Sequence, residues 1–177
     1  MIAPSTDFPT FAEAVRSLAA TPAYHYRKHP SIVSRTEHDG RTLYSRFARV
    51  DRPLDDRSIR EHLAGIQTLA LPLTHTGEGS VIVFIYDGTS PERFVHLFDH
   101  LMHRQGITDY RVFYGRSETI RLLILPRPLQ PIASLYAFAR ELSASLEEAL
   151  PRSWKILPDP NLPEGWNILT IPYNQGV

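Results

Sequence analysis

The sequence contains no cysteine. Disulfides, thiolate zinc sites, iron–sulfur clusters and cysteine nucleophiles are therefore excluded. Long apolar segments are also missing, because the longest nearly uncharged apolar run, Val81 to Tyr86, is far shorter than the roughly 20 residues that cross a bilayer. The N-terminus lacks the basic region and following apolar region that mark a secretory signal. We therefore expect a cytoplasmic protein that does not enter the membrane.

Neither sign of charge is in excess. The 177 residues include 19 Lys and Arg and 19 Asp and Glu, so the formal net charge is zero. Net charge thus gives no support to non-specific nucleic-acid binding, although a local basic strip in a neutral domain can hold phosphates. With 42% apolar residues, and with no domain boundary or internal repeat, the sequence predicts one globular domain over residues 1–177. Residues 1–30 would supply a helix and a basic, aromatic lead-in.

Helices alternate with pairs of strands along the sequence. Periodicity and capping residues predict helices over 10–20, 55–66, 90–105 and 131–146. Runs of strand formers predict a hairpin over 31–37 and 41–50, strand pairs over 67–73 with 81–86 and 110–114 with 119–125, and closing strands near 153–157 and 166–172. This order favours an α+β fold with mainly antiparallel sheets flanked by helices. The glycine patterns of dinucleotide sites and Walker loops are absent, which disfavours a doubly wound nucleotide fold.

The third predicted helix carries a cluster of possible metal ligands. His96, Asp99, His100 and His103 share one arc of a helix with about 3.6 residues per turn, and imidazoles at i and i+4, such as His96 and His100, can share a metal. Apolar residues occupy the opposite arc, so the histidines should face solvent, where no further ligand is guaranteed. A solvated helix face is the preferred interpretation, and a metal site at His96 and His100 is the alternative.

A second candidate is Asp87, directly after the apolar run at 81–86. An acid at the carboxyl end of a central strand can ligate Mg²⁺ or Mn²⁺ beside a phosphate and so contribute to catalysis. A two-metal nucleotidyl-transfer site needs at least two acids, however, and no other residue from Ile85 to Thr89 is acidic. The rival interpretation is an Asp-Gly turn that ends the strand.

The third candidate is cationic. Arg111 lies on one predicted strand, Arg116 in the following turn and Arg121 on the next strand, with Tyr110 and Tyr114 nearby. We call these five residues the arginine strip. Guanidinium groups hold phosphate and aromatic rings accept bases, so the strip has the composition of a single-strand nucleic-acid surface. The alternative is that these arginines only solubilise the surface.

The first predicted hairpin carries four more arginines, Arg35, Arg41, Arg46 and Arg49. They would extend the arginine strip if both hairpins bordered one groove. Strand alternation, however, places Arg46 and Arg49 on opposite faces of a continuous strand.

Several of these stretches resemble the catalytic core of the archaeo-eukaryotic primase superfamily, especially compact bacterial primase-polymerase domains. Residues 54–73 resemble the helix and strand that precede its metal-binding strand, and 81–87 resemble that strand. Residues 113–125 are similar to its Ser-Gly turn and histidine-bearing strand, and 157–172 to its closing strands. The resemblance implies a primase-like, RRM-like core and a role with nucleic acid.

The sequence departs from this family at the residues that carry its chemistry. In the family an Asp-x-Asp pair binds divalent metal, a histidine on the later strand contacts the phosphates of the incoming nucleotide, and another acid completes the site. Here the partner position of Asp87 is Ile85 or Thr89, and Arg121 occupies the histidine position. Arginine can still hold phosphate, but two metals need carboxylates to offset their charge. The resemblance thus implies a catalytically degenerate domain that binds nucleic acid or nucleotide, or scaffolds a protein partner in a replication or defence system.

Two further hypotheses remain open. The first keeps primase-polymerase activity with Mg²⁺ or Mn²⁺, and acids remote in sequence, such as Asp51, Asp109 or Asp159, complete the site at Asp87. The second is a protein-interaction module without a nucleic-acid role, which uses an exposed apolar edge or the histidine helix.

Overall fold

A computed structural model describes residues 7–115 and 121–175, which form two antiparallel sheets and a separate hairpin. The helices are α1 (Phe8–Arg16), α2 (Asp56–Leu63), α3 (Pro91–Arg104) and α4 (Ile132–Glu147). The strands are β1 (His25–Lys28), β2 (Ser34–His38), β3 (Arg41–Ser45), β4 (Phe47–Val50), β5 (Leu69–Pro72), β6 (Glu78–Tyr86), β7 (Arg111–Tyr114), β8 (Arg121–Pro131), β9 (Trp154–Leu157), β10 (Ile168–Thr170) and β11 (Asn174–Gln175), with a 3₁₀ turn at Glu164–Trp166. No helix of these residues is both long and apolar enough to cross a bilayer.

The larger sheet, which we call the central sheet, has the strand order β11-β7-β8-β6-β9. Along the chain its elements run β6-α3-β7-β8-α4-β9, which is the β-α-β-β-α-β arrangement of ferredoxin-like domains. Strand β6 lies between β8 and β9 and is antiparallel to both. The predicted α+β class, with antiparallel sheets flanked by helices, is confirmed.

Strand β6 is apolar from Val81 to Tyr86 because both of its faces are covered there. Ile82, Phe84 and Tyr86 face α3 and α4 and pack into one buried cluster. Val81 and Val83 alternate to the other face, where a second cluster joins the central sheet to α1, α2 and the smaller sheet. The apolar run at 81–86 is therefore buried on both faces.

The smaller sheet, which we call the second sheet, has the order β10-β5-β1-β4 with antiparallel pairing throughout. Leu69 and Leu71 of β5 point into the core shared with the central sheet. The outer face carries Tyr24, Tyr26 and Ala70. This face lies on the side of the second sheet away from the shared core.

One predicted strand pair was wrong in its partners, and one predicted strand is divided in two. Strands β5 and β6 do not pair, because β5 joins β1 and β10 while β6 joins β8 and β9. The predicted strand over 41–50 breaks at Arg46, so that β3 pairs with β2 and β4 pairs with β1. The Asp39-Gly40 turn of the hairpin is confirmed, with φ of +49° and +71° as a two-residue turn requires.

The helix starts depend on aspartate caps. Asp55 caps α2 as predicted, and its carboxylate accepts the Ser58 N–H at 2.7 Å. Hydrogen bonds from the backbone N–H and the side chain of Ser58 lower the pKa of Asp55 to about 2. Helix α1 begins at Phe8 rather than at Thr10, because Asp7 takes the capping position and accepts the Thr10 N–H. The predicted helix over 55–66 ends earlier, at Leu63, because Gly65 turns the chain with φ of +75°. Ile66 therefore lies outside the helix and is 74% exposed.

Candidate nucleic-acid interface

Asp87 begins the turn that ends β6. Its side chain is exposed, and its backbone N–H donates to the Ser153 carbonyl at 3.0 Å. Ile85, at one possible partner position, packs against the core shared by the two sheets. In residues 7–115 and 121–175, no three His, Asp or Glu side chains are grouped so that they could hold a metal ion.

Gly88 explains why an Asp-Gly pair stands at this turn. A Cβ on Gly88 would lie 2.3 Å from the hydroxyl oxygen of Tyr86 and 2.8 Å from the Cβ of Ser153. The same hydroxyl accepts the N–H of Ser90, which precedes α3, at 3.0 Å. Glycine is therefore needed for the close approach of the Tyr86 ring to the start of α3. Close packing at the turn thus accounts for Gly88.

The face of the central sheet that continues toward Asp87 is filled with hydrocarbon. Val81, Val83 and Phe113 are at most 2% exposed and pack with α1 and the second sheet. A pair of divalent cations needs several oxygen ligands, above all carboxylates, to offset its charge. The described side chains on this face supply none, so they do not fit the metal pair that the resemblance to the primase superfamily implies.

The remote acids have other roles. Asp51 accepts the Nε–H of Arg49 at 2.5 Å. Asp159 accepts the backbone and side-chain N–H groups of Asn161 at 2.8 and 3.0 Å. Asp109 is exposed in the loop before β7. None of the three belongs to a metal-ligand group in the part of the chain that the structure describes.

The histidine face of α3 lies in solvent, with His96, His100 and His103 exposed. The Nδ1 of His103 is 2.9 Å from the Asp99 carbonyl, one turn earlier on the same helix. The Asp99 carboxylate accepts the hydroxyl of Tyr110. Within the described ranges, His96 and His100 therefore have no third ligand with which to hold a metal.

The two tyrosines of the arginine strip pack on the helical side of the central sheet. The ring of Tyr110 lies against Phe98, with centroids 6.1 Å apart, and its hydroxyl donates to Asp99. Burial, together with this hydrogen bond, raises the pKa of Tyr110 to about 12. Tyr114 packs partly buried against the same helical core. Both rings are thus engaged with the helical side of the central sheet.

Two of the three arginines of the strip lie on described strands. Arg111 is exposed on β7, where its register partner on β8 is Ile124. Arg121 lies opposite Tyr114 at the other end of this ladder. Arg116 lies outside the described residues. Convergence of the strip on one phosphate path therefore stays a prediction.

A groove of about 380 Å³ on the outer face of the second sheet combines cations with aromatic rings. Its walls are the β3–β4 junction and the 3₁₀ turn at Glu164–Trp166. We call it the hairpin groove. Its lining includes Lys28, Tyr44, Arg46, Phe47, Trp166 and Ile168.

The strand break at Arg46 creates one wall of this groove. The carbonyl of Arg46 accepts the N–H of His29 at 2.7 Å, and the hydroxyl of Ser45 accepts the N–H of Phe47 at 3.0 Å. Because the chain changes sheets here, alternation does not carry through residue 46. Arg46 lines the groove, and Arg49 lies over the ring of Tyr24 at 3.9 Å. The expectation that Arg46 and Arg49 lie on opposite faces was wrong.

Only part of the hairpin groove could be predicted from the sequence. The composition of the sequence shows the basic, aromatic lead-in within residues 1–30, which contains Lys28. It also shows the arginines of the first hairpin. The register that pairs Lys28 with Phe47, and the return of Trp166 to the same surface, depend on contacts between distant segments. No local pattern signals these contacts.

Comparisons with known proteins agree with this architecture. Residues 18–79, from before β1 to the start of β6, match a family described as a domain of unknown function, DUF1882. No curated protein matches the chain. Among solved structures, the chain is similar to the polymerase domain from Mycobacterium tuberculosis ligase D in complex with DNA, with a TM-score of 0.53 and 14% identity over 94% of this chain and 74% of that one. At this identity the likeness concerns the fold, and the predicted primase-like fold is confirmed.

Proposed function

We propose that this chain is a primase-like domain that binds nucleic acid or nucleotide without joining nucleotides. The observation that carries the proposal is the apolar face of the central sheet, where Val81, Val83 and Phe113 are buried and supply no carboxylate. A phosphate-binding role needs only cations, whereas nucleotidyl transfer through two metals needs acids. The fold supports the nucleic-acid class, because the similar polymerase domain was solved with DNA.

In this proposal the arginine strip contacts phosphates. Arg111 is exposed on β7, and Arg116 and Arg121 would supply the other cations. Arginine suits this task because its guanidinium presents a planar fork of donors to phosphate oxygens. Asp87 is then a residual polar residue beside the strip. A protein partner in replication or defence also stays a prediction.

Fluorescence anisotropy with a labelled single-stranded oligonucleotide at low salt tests the proposal. We expect binding that weakens with salt, since each phosphate contact contributes about 0.7 to the slope of log Kobs against log salt on single strands. Substituting Arg111→Ala, Arg116→Ala and Arg121→Ala together should reduce that slope by roughly 2. Arg140→Ala, on the exposed side of α4, is the matched control and should leave the slope unchanged.

Two results would count against this proposal, and they differ in what they exclude. If the wild-type chain binds neither single-stranded DNA nor single-stranded RNA, the nucleic-acid role is wrong. If the triple variant keeps the wild-type slope, the role stands but the arginine strip is not the contact surface.

A further inference from the structure

We propose that the hairpin groove is a separate binding site for a short single strand of nucleic acid. Lys28 and Arg46 would contact phosphates, and Tyr44 and Trp166 would stack on bases. The inference rests on the proposed function for the class of ligand. Its residues belong to the second sheet and the 3₁₀ turn, and none of them is in the arginine strip.

The cations of the groove are not neutralised by the protein. Arg35 pairs with Glu37 at 2.8 Å and Arg49 with Asp51 at 2.5 Å, whereas Lys28 and Arg46 have no ion-pair partner among the residues described. Glu164 begins the 3₁₀ turn of one wall, but its carboxylate accepts the N–H of Gly77 at 3.3 Å, and it is not among the side chains that line the groove. Exposed cations in a concave surface attract anions more strongly than the same charges on a convex one. The groove is therefore locally basic in a chain of zero net charge.

The groove also offers exposed aromatic surface. Tyr44 is 58% exposed on β3, and Trp166 is half-buried on the opposite wall. Between them the floor is apolar, with Phe47 and Ile168. Stacking of a base on such a ring is worth about 1–3 kcal/mol and tolerates any base, because every base has a π-face. Exposed rings beside cations suit a single strand, because the rings can stack on its bases while the cations contact its phosphates.

This combination favours a nucleic acid over an acidic peptide. A peptide carboxylate would use Lys28 and Arg46 but leave the rings without a planar partner. It also favours a single strand over a duplex, since paired bases are stacked on one another and cannot stack on side chains. The volume of about 380 Å³ lies within the range of sites that hold small planar ligands.

Tryptophan fluorescence reports on the groove directly. The chain has two tryptophans, and Trp154 is 4% exposed with its Nε1–H donating to the Ser143 hydroxyl. Trp166 lines the groove. Titrating the full chain with an unlabelled mixed-sequence oligonucleotide should quench the emission of Trp166. In Trp166→Phe, which keeps an aromatic ring, the quench should disappear while anisotropy still detects binding.

Substitutions in the groove separate its two parts. Lys28→Ala combined with Arg46→Ala should lower the salt slope by about 1.4, because two phosphate contacts are lost. Tyr44→Ala should weaken binding about 5- to 150-fold, and Tyr44→Phe should bind like wild type because it retains the ring. Arg140→Ala again serves as the charge control. Since the changed side chains line an open surface groove, the thermal unfolding midpoint of each variant should match that of the wild type.

The outcomes distinguish this inference from the proposed function. Wild-type affinity and slope in the Lys28 and Arg46 double variant, or binding without any quench of Trp166, would overturn the inference while nucleic-acid binding by the domain stands. Displacement of the oligonucleotide by polyglutamate at equal concentration, with no dependence on the Tyr44 ring, would assign the groove to an acidic protein segment instead. If no single strand binds at all, this inference and the nucleic-acid part of the proposed function are both wrong.

Discussion

Val83→Asp should lower the free energy of unfolding of the domain by about 4 kcal/mol or more. Val83 is 0% exposed on β6, and its cross-strand partners are Leu157 on β9 and Ile124 on β8. A carboxylate at this position would be buried among hydrocarbon without a cation or hydrogen-bond donor. Urea denaturation at neutral pH, followed by circular dichroism, measures the loss.

The size of the stability loss shows whether Val83 lies in the hydrophobic core or on a surface that water can reach. Val83→Ala removes two methyl groups and should cost only about 2 kcal/mol, so it controls for lost packing. If Val83→Asp is as stable as Val83→Ala, water reaches this face of the central sheet. A gain of Mn²⁺ affinity in the aspartate variant would further indicate a latent metal site there and contradict the assignment of this face to the core.

His62→Leu is the second substitution with a large expected effect. The ring is 0% exposed, its Nδ1 accepts the N–H of Leu69 at 3.1 Å, and its Nε2–H donates to the carbonyl of Ile171 at 2.9 Å. It also lies against Tyr173, with ring centroids 4.7 Å apart. One neutral imidazole therefore connects α2 to β5 and to the segment after β10.

Leucine at position 62 would leave a buried N–H and a buried carbonyl without partners. At about 1–3 kcal/mol for each such group, we expect a loss of about 3–4 kcal/mol. His96→Leu, on the exposed face of α3, is the matched control and should change stability by less than about 0.5 kcal/mol. Equal unfolding midpoints for the two variants would mean that the hydrogen bonds of His62 are replaced by others and do not connect these segments.

The sequence predicted best those features that are determined within a few neighbouring residues. The amphipathic arc of α3 and the cap at Asp55 follow from side-chain periodicity and a single hydrogen bond. The partners of β5 were mispredicted because its apolar run is compatible with any neighbouring strand. Which strand it joins depends on packing against Leu169 and α1, far away along the chain.

The candidate site also depends on contacts between distant segments, and these could not be predicted from the sequence. That Asp87 has no acidic neighbour is visible in the sequence, and the structure adds the apolar face beside it. The hairpin groove could not be predicted, because Lys28 and Trp166 meet only after β1, β5 and β10 assemble in register. A break in one strand at Arg46 also changes which side chains share a face, and strand alternation cannot anticipate such a break.

These features give a consistent physical picture of the domain. Hydrophobic burial uses both faces of β6 from Val81 to Tyr86, and the described side chains of these two clusters include no carboxylate. The outer face of the second sheet is free of this constraint, and there cations and rings are exposed beside each other. The described side chains thus supply cations and rings on the second sheet and no group of three metal ligands.

A primer-extension assay with the full chain tests most directly whether the domain binds phosphates without transferring nucleotides. A primed template would be incubated with ribonucleoside or deoxyribonucleoside triphosphates and Mn²⁺ or Mg²⁺, under conditions in which anisotropy detects the bound single strand. We predict binding with no extension. Extension that requires Mn²⁺ or Mg²⁺ and disappears in Asp87→Asn would contradict the proposal and identify a working polymerase.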